Sequence, residues 1–247
     1  MKKEILNTFI ERYTLGGLIP KVKWKYNPTE KTLHTRATID SRTFLADVVM
    51  SDFTDLGNEE VVICIGDSDK VKAMLTPFGE DVNLTVNKNG DRILGFTASD
   101  SDCECYCTAA DPSAMDPVPK NLQDIPEWHI EVPLTEEFIE KVLKARLALK
   151  DVGSFSVGMN KKGQFEIVIG YTTSNSNRIR FTPTTDPSRN SIGASLSFPL
   201  KNIIGVLKAT SDIPNGKMLI NNAGIIQMQF KNDTFSCNYY QFCEKKQ

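Results

Sequence analysis

The chain has 247 residues, 40% hydrophobic and 24% charged, with a formal net charge of −2. That length accommodates two domains of about 110 to 120 residues, each able to bury its own core, and no stretch approaches the roughly 18 apolar residues that span a bilayer. A slightly acidic chain does not coat nucleic acid by bulk positive charge, and six cysteines without an export signal imply reduced thiols in a cytosol.

Lys2 to Tyr13 mixes Glu4, Asn7 and Glu11 into its apolar residues, unlike the uninterrupted apolar run of an export signal. Its Ile5, Phe9 and Tyr13, with Leu6 and Ile10 beside them, predict an amphipathic helix. In Lys21 to Tyr26, lysines alternate with Val22, Trp24 and Tyr26, the period of a strand with one wet face. Asn27, Pro28 and Thr29 turn the chain. Strands are predicted at Leu33 to Asp40, Phe44 to Met50 and Glu60 to Ile65. Asp67 can cap a short helix from Asp69 to Thr76. Strands follow at Val82 to Val86, Arg92 to Thr97 and Cys103 to Thr108, the first two joined through the hairpin signal Asn89-Gly90.

Ala109 to Pro133 holds five of the twelve prolines and no sustained hydrophobic period, so it is expected to be an extended connector. Beyond it the elements recur at an offset of about 130 residues, the mark of an internal repeat. A strand containing His129 leads to Thr135, which can cap a helix from Glu136 to Lys150 buried through Phe138, Val142 and Leu149 with Ile139 and Leu143; its EFIEK matches TFIER of the first helix. Strands are predicted at Ser154 to Met159, Gln164 to Tyr171, Arg178 to Pro183 and Ser195 to Phe198. Pro199 suits the first turn of a helix from Leu200 to Ala209. Strands at Lys217 to Asn221, Ile225 to Phe230 and Thr234 to Phe242 complete the pattern. The expected class is α+β: two similar domains, 1–110 and 128–247, each with two helices packed on antiparallel sheets, joined by a connector at 111–127.

Catalytic motifs are absent. The two histidines, His34 and His129, accompany no nucleophile motif, and there is no phosphate loop, nucleophile elbow or HExxH. An enzyme is not expected. Cys103, Cys105 and Cys107 suggest a soft-metal site, but at a period of two their Cα atoms stand about 7 Å apart along one strand face, poorly placed to converge on one tetrahedral ion. Small apolar residues packing on that face, with Glu104 and Tyr106 opposite, is the simpler reading. Asp100, Asp102 and Glu104 lack the glycine and distal glutamate of a calcium loop. The acidic run Asp52 to Glu60 has no assigned role.

Charge on the helices is more informative. Lys2 to Tyr13 carries +1, Asp69 to Thr76 +1, Glu136 to Lys150 +1 and Leu200 to Ala209 +2, so the helices total +5 in a chain of −2. Side by side they would present a positive strip for an anionic partner. A duplicated, non-enzymatic structural or scaffold protein remains the alternative, though such a shell has no reason to make every helix basic.

With these residues in hand, the chain resembles the DNA polymerase sliding clamps of the T-even phage type, related in architecture to the eukaryotic clamp PCNA. The most specific piece is Ala109-Ala110-Asp111-Pro112-Ser113, similar to the same junction in that family, set between a strand and a Pro-rich linker and followed by TEEFIEKVLKA. The resemblance implies a DNA clamp fold and a ring of three subunits around duplex DNA. It implies a processivity factor that tethers the replicative polymerase during viral DNA replication, served by a clamp loader in the cytoplasm of an infected bacterial host, with no cofactor and no membrane. The DNA-facing charge is then expected from Lys2, Lys3, Arg12, Lys70, Lys72, Lys141, Lys144, Lys150, Lys201 and Lys208, led by Lys141 and Lys144. The family's partner pocket beneath the connector maps to Val118, Leu122, Ile125, Tyr240 and Phe242. Its subunit interface maps to Cys103–Thr108 against Arg178–Pro183 of a neighbour, through Glu104, Tyr106, Arg178, Ile179, Arg180 and Phe181.

Overall fold

The computed structural model describes residues 1–119, 127–170, 177–185 and 192–244. The chain divides into two compact units, Met1–Pro119 with Asn232–Cys237, and Lys120–Lys231 with Asn238–Gln247. The connector's opening residues through Pro119 thus stay with the first unit, which also takes in a piece of the last strand.

In the first unit, helix α1 (Lys3–Thr14) buries Leu6, Phe9, Ile10 and Tyr13, while Ile5 is 37% exposed. It ends where Leu15 enters the left-handed region at φ 51°, followed by Gly16 and Gly17, also at positive φ. Strands β1 (Val22–Asn27), β2 (Thr32–Thr38), β3 (Phe44–Met50) and β4 (Val61–Ile65) form an antiparallel sheet in the order β4-β1-β2-β3, and β3 is followed by the opening of β15 (Phe235–Phe242). Ser51 N donates to Thr234 O at 2.8 Å beside that junction. Helix α2 (Ser68–Met74) starts at the expected Asp67, whose side chain accepts from Lys70 N. Strands β5 (Asn83–Asn89), β6 (Arg92–Ser99) and β7 (Glu104–Thr108) make a second sheet.

Trp24 is the centre of this unit's core. Fully buried, it stacks on Phe96 with centroids 5.5 Å apart and meets the edge of Phe9 at 6.0 Å. Its Nε1 donates to Tyr13 Oη, which donates to Ser68 Oγ, and Ser68 Oγ donates to Pro20 O, so every polar tip of the cluster has a partner. The acidic run 52–60 gains a structural role here. Phe53 and Leu56 are buried, Phe53 packs edge-on to Tyr26 at 5.5 Å, Tyr26 Oη donates to Gly57 O, and Glu59 pairs with Lys88 at 2.5 Å.

The second unit contains β8 (Ile130–Leu134), α3 (Glu136–Ala148), β9 (Ser154–Met159), β10 (Phe165–Ile169), β11 (Ile179–Phe181), β12 (Leu196–Pro199), α4 (Leu200–Ala209), β13 (Gly216–Ile220), β14 (Ile225–Lys231) and the remainder of β15. One sheet runs β11-β10-β9-β12, and the other β15-β14-β13-β8. Thr135 caps α3 through Phe138 N, but the buried face is Ile139, Val142 and Ala145, with Phe138 half-buried; the helix stops at Ala148 rather than Lys150, so Leu149, also half-buried, lies past its last turn. Pro199 stands one residue earlier than expected, closing β12 at the position that precedes α4. His129 lies just ahead of β8 and Cys103 just ahead of β7, outside the strands predicted to hold them.

The repeat extends to topology. The order β4-β1-β2-β3 corresponds to β12-β9-β10-β11, and β5-β6-β7 to β13-β14-β15. Even β8, which pairs with β13, has a counterpart in the Lys2–Asp81 bridge ahead of β5.

Strand β7 depends on glycine at one place. Gly95 sits at φ +152°, and a Cβ there would stand 2.1 Å from Cys107 O. Gly95→Ala is expected to prise β6 from β7 at a cost of about 2–3 kcal/mol, read as a lowered urea midpoint; an unchanged midpoint would show that this approach can relax freely.

Candidate nucleic-acid interface and docking surfaces

The cationic residues expected on the helices are not equivalent. Lys2 lies 3.2 Å from Asp81 and 3.5 Å from Glu80, and Lys3 donates to Phe78 O. Lys72 pairs with Glu11, Lys141 with Glu137 at 2.5 Å, and Lys144 with Glu140 at 2.7 Å. Such exposed pairs are screened by water and too weak to hold a lysine against a phosphate. Lys70, Lys150, Lys201 and Lys208 are exposed and carry no ion pair among the described residues.

Arg12 overturns its assignment. It is fully buried, with its guanidinium 4.5 Å from the Phe235 ring centroid, a cation–π contact inside the first unit. It cannot face DNA. The reason lies at the far end of the chain, because β15 covers the helix flank that a local pattern leaves open. Without Arg12, the surface of Lys2–Tyr13 sets Lys2 and Lys3 against Glu4 and Glu11 and is neutral, and α3, ending before Lys150, is balanced too, so the positive excess rests on α2 and α4.

Among the described residues six strands stand at sheet ends, β4, β5, β7, β8, β11 and β12, and they include the two expected at a subunit interface, β7 in the first unit and β11 in the second. Asp100 N donates to Cys103 O and Ala109 N to Leu94 O, and this alternation directs the backbone groups of Cys105 and Cys107 toward β6. Those of Glu104, Tyr106 and Thr108 therefore point out along the open edge. Tyr106 is 47% exposed and its hydroxyl donates to Leu94 O, lining a groove of about 960 Å³ that also includes Val62, Leu94 and Arg92. On β11, Ile179 and Phe181 are half-buried and Arg180 is exposed; Arg178, also exposed, precedes the strand. Cys105 and Cys107 share the opposite face of β7, their Sγ atoms 4.0 Å apart, and burial together with Cys105 pushes the Cys107 thiol up to about 12. No group of three metal-ligating side chains occurs among the described residues.

Of the connector-linked residues, Val118 is half-buried in the first unit, while Leu122 and Ile125 lie outside the described residues. In the second unit Tyr240 is half-buried, its hydroxyl accepting from Gln227 Nε2 at 2.8 Å, and Phe242 is 44% exposed. The sequence reading missed Val62 and Leu147, which are 48% and 67% exposed. Their signal was an apolar residue on the wet side of its own period.

A charged row on the outer side of β2 and β3 was also missed. Asp47 receives Arg36 Nε and Nη2 at 3.0 and 2.6 Å on Oδ2, and His34 Nε2 lies 2.6 Å from Oδ1. Burial alone would raise the Asp47 carboxyl, but the hydrogen bonds and charges of His34 and Arg36 outweigh it and hold the carboxyl below its ordinary 3.8. Because the folded value is depressed, its stabilisation is complete above the unfolded value and is lost as pH falls through the folded one. Asp47→Asn is therefore expected to cost about 1–3 kcal/mol at neutral pH by urea unfolding. The gap to the parent should close on acidification below pH 3.8, and a gap independent of pH would show that packing, not charge, is lost.

The chain matches no protein-family model and no curated protein sequence. Its structure, however, is similar to that of the proliferating cellular nuclear antigen of Entamoeba histolytica, with a TM-score of 0.70 at 15% identity over 99% of this chain and 96% of that one. It is similar to A. fulgidus PCNA, seen bound to the C-terminal region of FEN-1, with a TM-score of 0.76 at 15% identity over 100% and 98%. It is also similar to a chain of the PCNA2–PCNA3 complex from Sulfolobus tokodaii, with a TM-score of 0.67 at 11% identity over 100% and 98%. Among the described residues, four helices set on antiparallel sheets, duplicated in strand order and matched end to end by these proteins, give this chain the PCNA-type sliding-clamp fold.

Proposed function

We propose that the chain is a DNA polymerase processivity factor of the T-even phage type. Three copies close into a ring around duplex DNA and tether the replicative polymerase, after a clamp loader opens the ring, in the cytoplasm of an infected bacterial host. The protein acts by topology and docking, without chemistry of its own.

One observation carries this reading. In the first unit β3 is followed by the opening of β15; in the repeat, β3 corresponds to β11 and β15 to β7, and each of these two equivalents stands at the end of its sheet. Repeating the β3–β15 junction between chains joins β11 of one copy to β7 of the next. That is a head-to-tail contact, which closes into a ring and covers both of these edges. Glu104 on β7 and Arg178 and Arg180 at β11 supply opposite charges, and Tyr106, Ile179 and Phe181 the apolar contact. Sequence-independent attraction to phosphates suits a sliding ring, and the lysines of α2, α3 and α4 are available for it. The FEN-1 segment on the A. fulgidus protein gives a precedent for partner tails; here Val118, Tyr240 and Phe242 are the described apolar residues assigned to that docking.

The parent should have a light-scattering mass of about 83 kDa, three times its 27.6 kDa. Tyr106→Pro removes an outward backbone donor while sparing the β6–β7 ladder, so it should yield folded monomers and abolish processive synthesis. A variant that remains a normal trimer would place ring closure elsewhere.

Lys201→Ala with Lys208→Ala tests the DNA-facing surface. The slope of log affinity against log salt should fall in magnitude by up to about 2, with the trimer intact. An unchanged slope would remove α4 from the interface.

A further inference from the structure

The described part of the connector ends at Pro119, and a side chain from the middle of the first unit's sheet takes its carbonyl. Arg36 Nη1, on β2, donates to Pro119 O at 3.4 Å across 83 residues of sequence. This guanidinium is not free to swing. Its Nε and Nη2 are both committed to Asp47 Oδ2, and Asp47 stands directly across the β2–β3 ladder from Arg36. The second carboxylate oxygen is fixed in turn by His34, two residues along β2. The three side chains are 20%, 13% and 27% exposed, half sunk on one sheet face, where their hydrogen bonds are less screened than at an open surface.

The connector's own residues make this hold effective. Asp111 accepts from Ser113 N and Oγ and so starts the short 3₁₀ turn Pro112–Ala114, and Met115 after it is 8% exposed. Pro117 and Pro119 then fix φ at two of the next four positions, so the segment from Asp116 to Pro119 has few conformations to choose from. A stiff segment seated at one end and gripped by its last carbonyl has a defined exit direction.

We propose that Arg36 is the positioning residue of the connector. Clasped by Asp47 and steadied by His34, it fixes Pro119 to β2 and sets where the partner-binding stretch beyond it begins. An arginine fork is suited to this task because it engages the carboxylate with one edge and still offers a pre-oriented donor on the other, a division that a lysine ammonium does not reproduce. The importance of the clasp for docking rests on the tethering function proposed above; its existence does not.

The test uses the full chain and no partner. Lys120 follows Pro119 directly, so trypsin cleavage after Lys120, timed by intact mass, reads release of the connector. Hydrogen exchange of the peptide spanning 115–126 gives a second reading. Arg36→Ala should accelerate both about tenfold, the weight of one charge-assisted hydrogen bond, while exchange in β9 and β10 of the second unit stays at the parent rate. Asp47→Asn, which leaves the arginine but loosens its orientation, should produce a smaller acceleration of the same two readouts. Arg36→Lys keeps charge and much of the volume and serves if the alanine variant fails to fold; it should also cut faster. Parental rates for Arg36→Lys and Arg36→Ala, or an acceleration spread over both units, would overturn the proposal. A chain that never forms a ring or binds DNA would still give the expected result, so failure of the clasp and failure of the clamp reading are separable.

Discussion

The first half of this molecule is completed by residues from its end. Asn232–Cys237 closes the edge of the sheet begun by β1 to β4, with Phe235 laid against the Arg12 guanidinium and Cys237 fully buried. An open β3 edge would expose a row of unpaired backbone groups, and a buried arginine without the aromatic face would lose a cation–π contact that offsets part of its desolvation. The first unit therefore depends on a contact between the twelfth residue and the last strand. Because the two halves repeat one strand order, the pairing that satisfies β3 also states what β11 and β7 lack. The open edges are a consequence of duplication, in which each half is finished by a strand equivalent to one it presents elsewhere.

Charge is arranged on the same economy. Three of the helix lysines have acidic partners, Lys72 with Glu11 and, one helical turn away, Lys141 with Glu137 and Lys144 with Glu140, while Lys70, Lys201 and Lys208 have none among the described residues. Weak exposed pairs suit a surface that must exchange one anionic contact for another, since a lysine leaving a glutamate for a phosphate gives up little. By contrast, the Arg36–Asp47–His34 row is partly sunk and doubly bonded. There the same side-chain chemistry holds backbone in place instead of sampling a polyanion.

Much of the fold was legible because its signals are local. Alternation in Lys21–Tyr26, the caps Asp67 and Thr135, the Asn89–Gly90 turn and the recurrence of TFIER as EFIEK each depend on neighbours within a few residues. One boundary slipped for a reason that is itself local. The α3 helix ends at Ala148, where Arg146 turns to the carbonyls of Leu149, Lys150 and Val152, and its buried face shifts to Ile139, Val142 and Ala145. Val62 and Leu147 stand on the wet side of their own period, a signal that periodicity, which seeks the buried face, does not pick out.

By itself the sequence determined the α+β class, the duplication, the order of helices and strands and the scarcity of catalytic groups, since these follow from periodicity, capping and composition along one stretch of chain. Tertiary structure alone decided that Arg12 is core rather than surface, that the acidic run 52–60 is anchored by Phe53 and Leu56, and that β7 and β11 stand at the ends of their sheets. It alone joined Arg36 to a carbonyl 83 residues away. Burial, edge exposure and long-range hydrogen bonds are properties of pairs of segments, and a residue's own neighbours in sequence do not encode which distant segment will cover it.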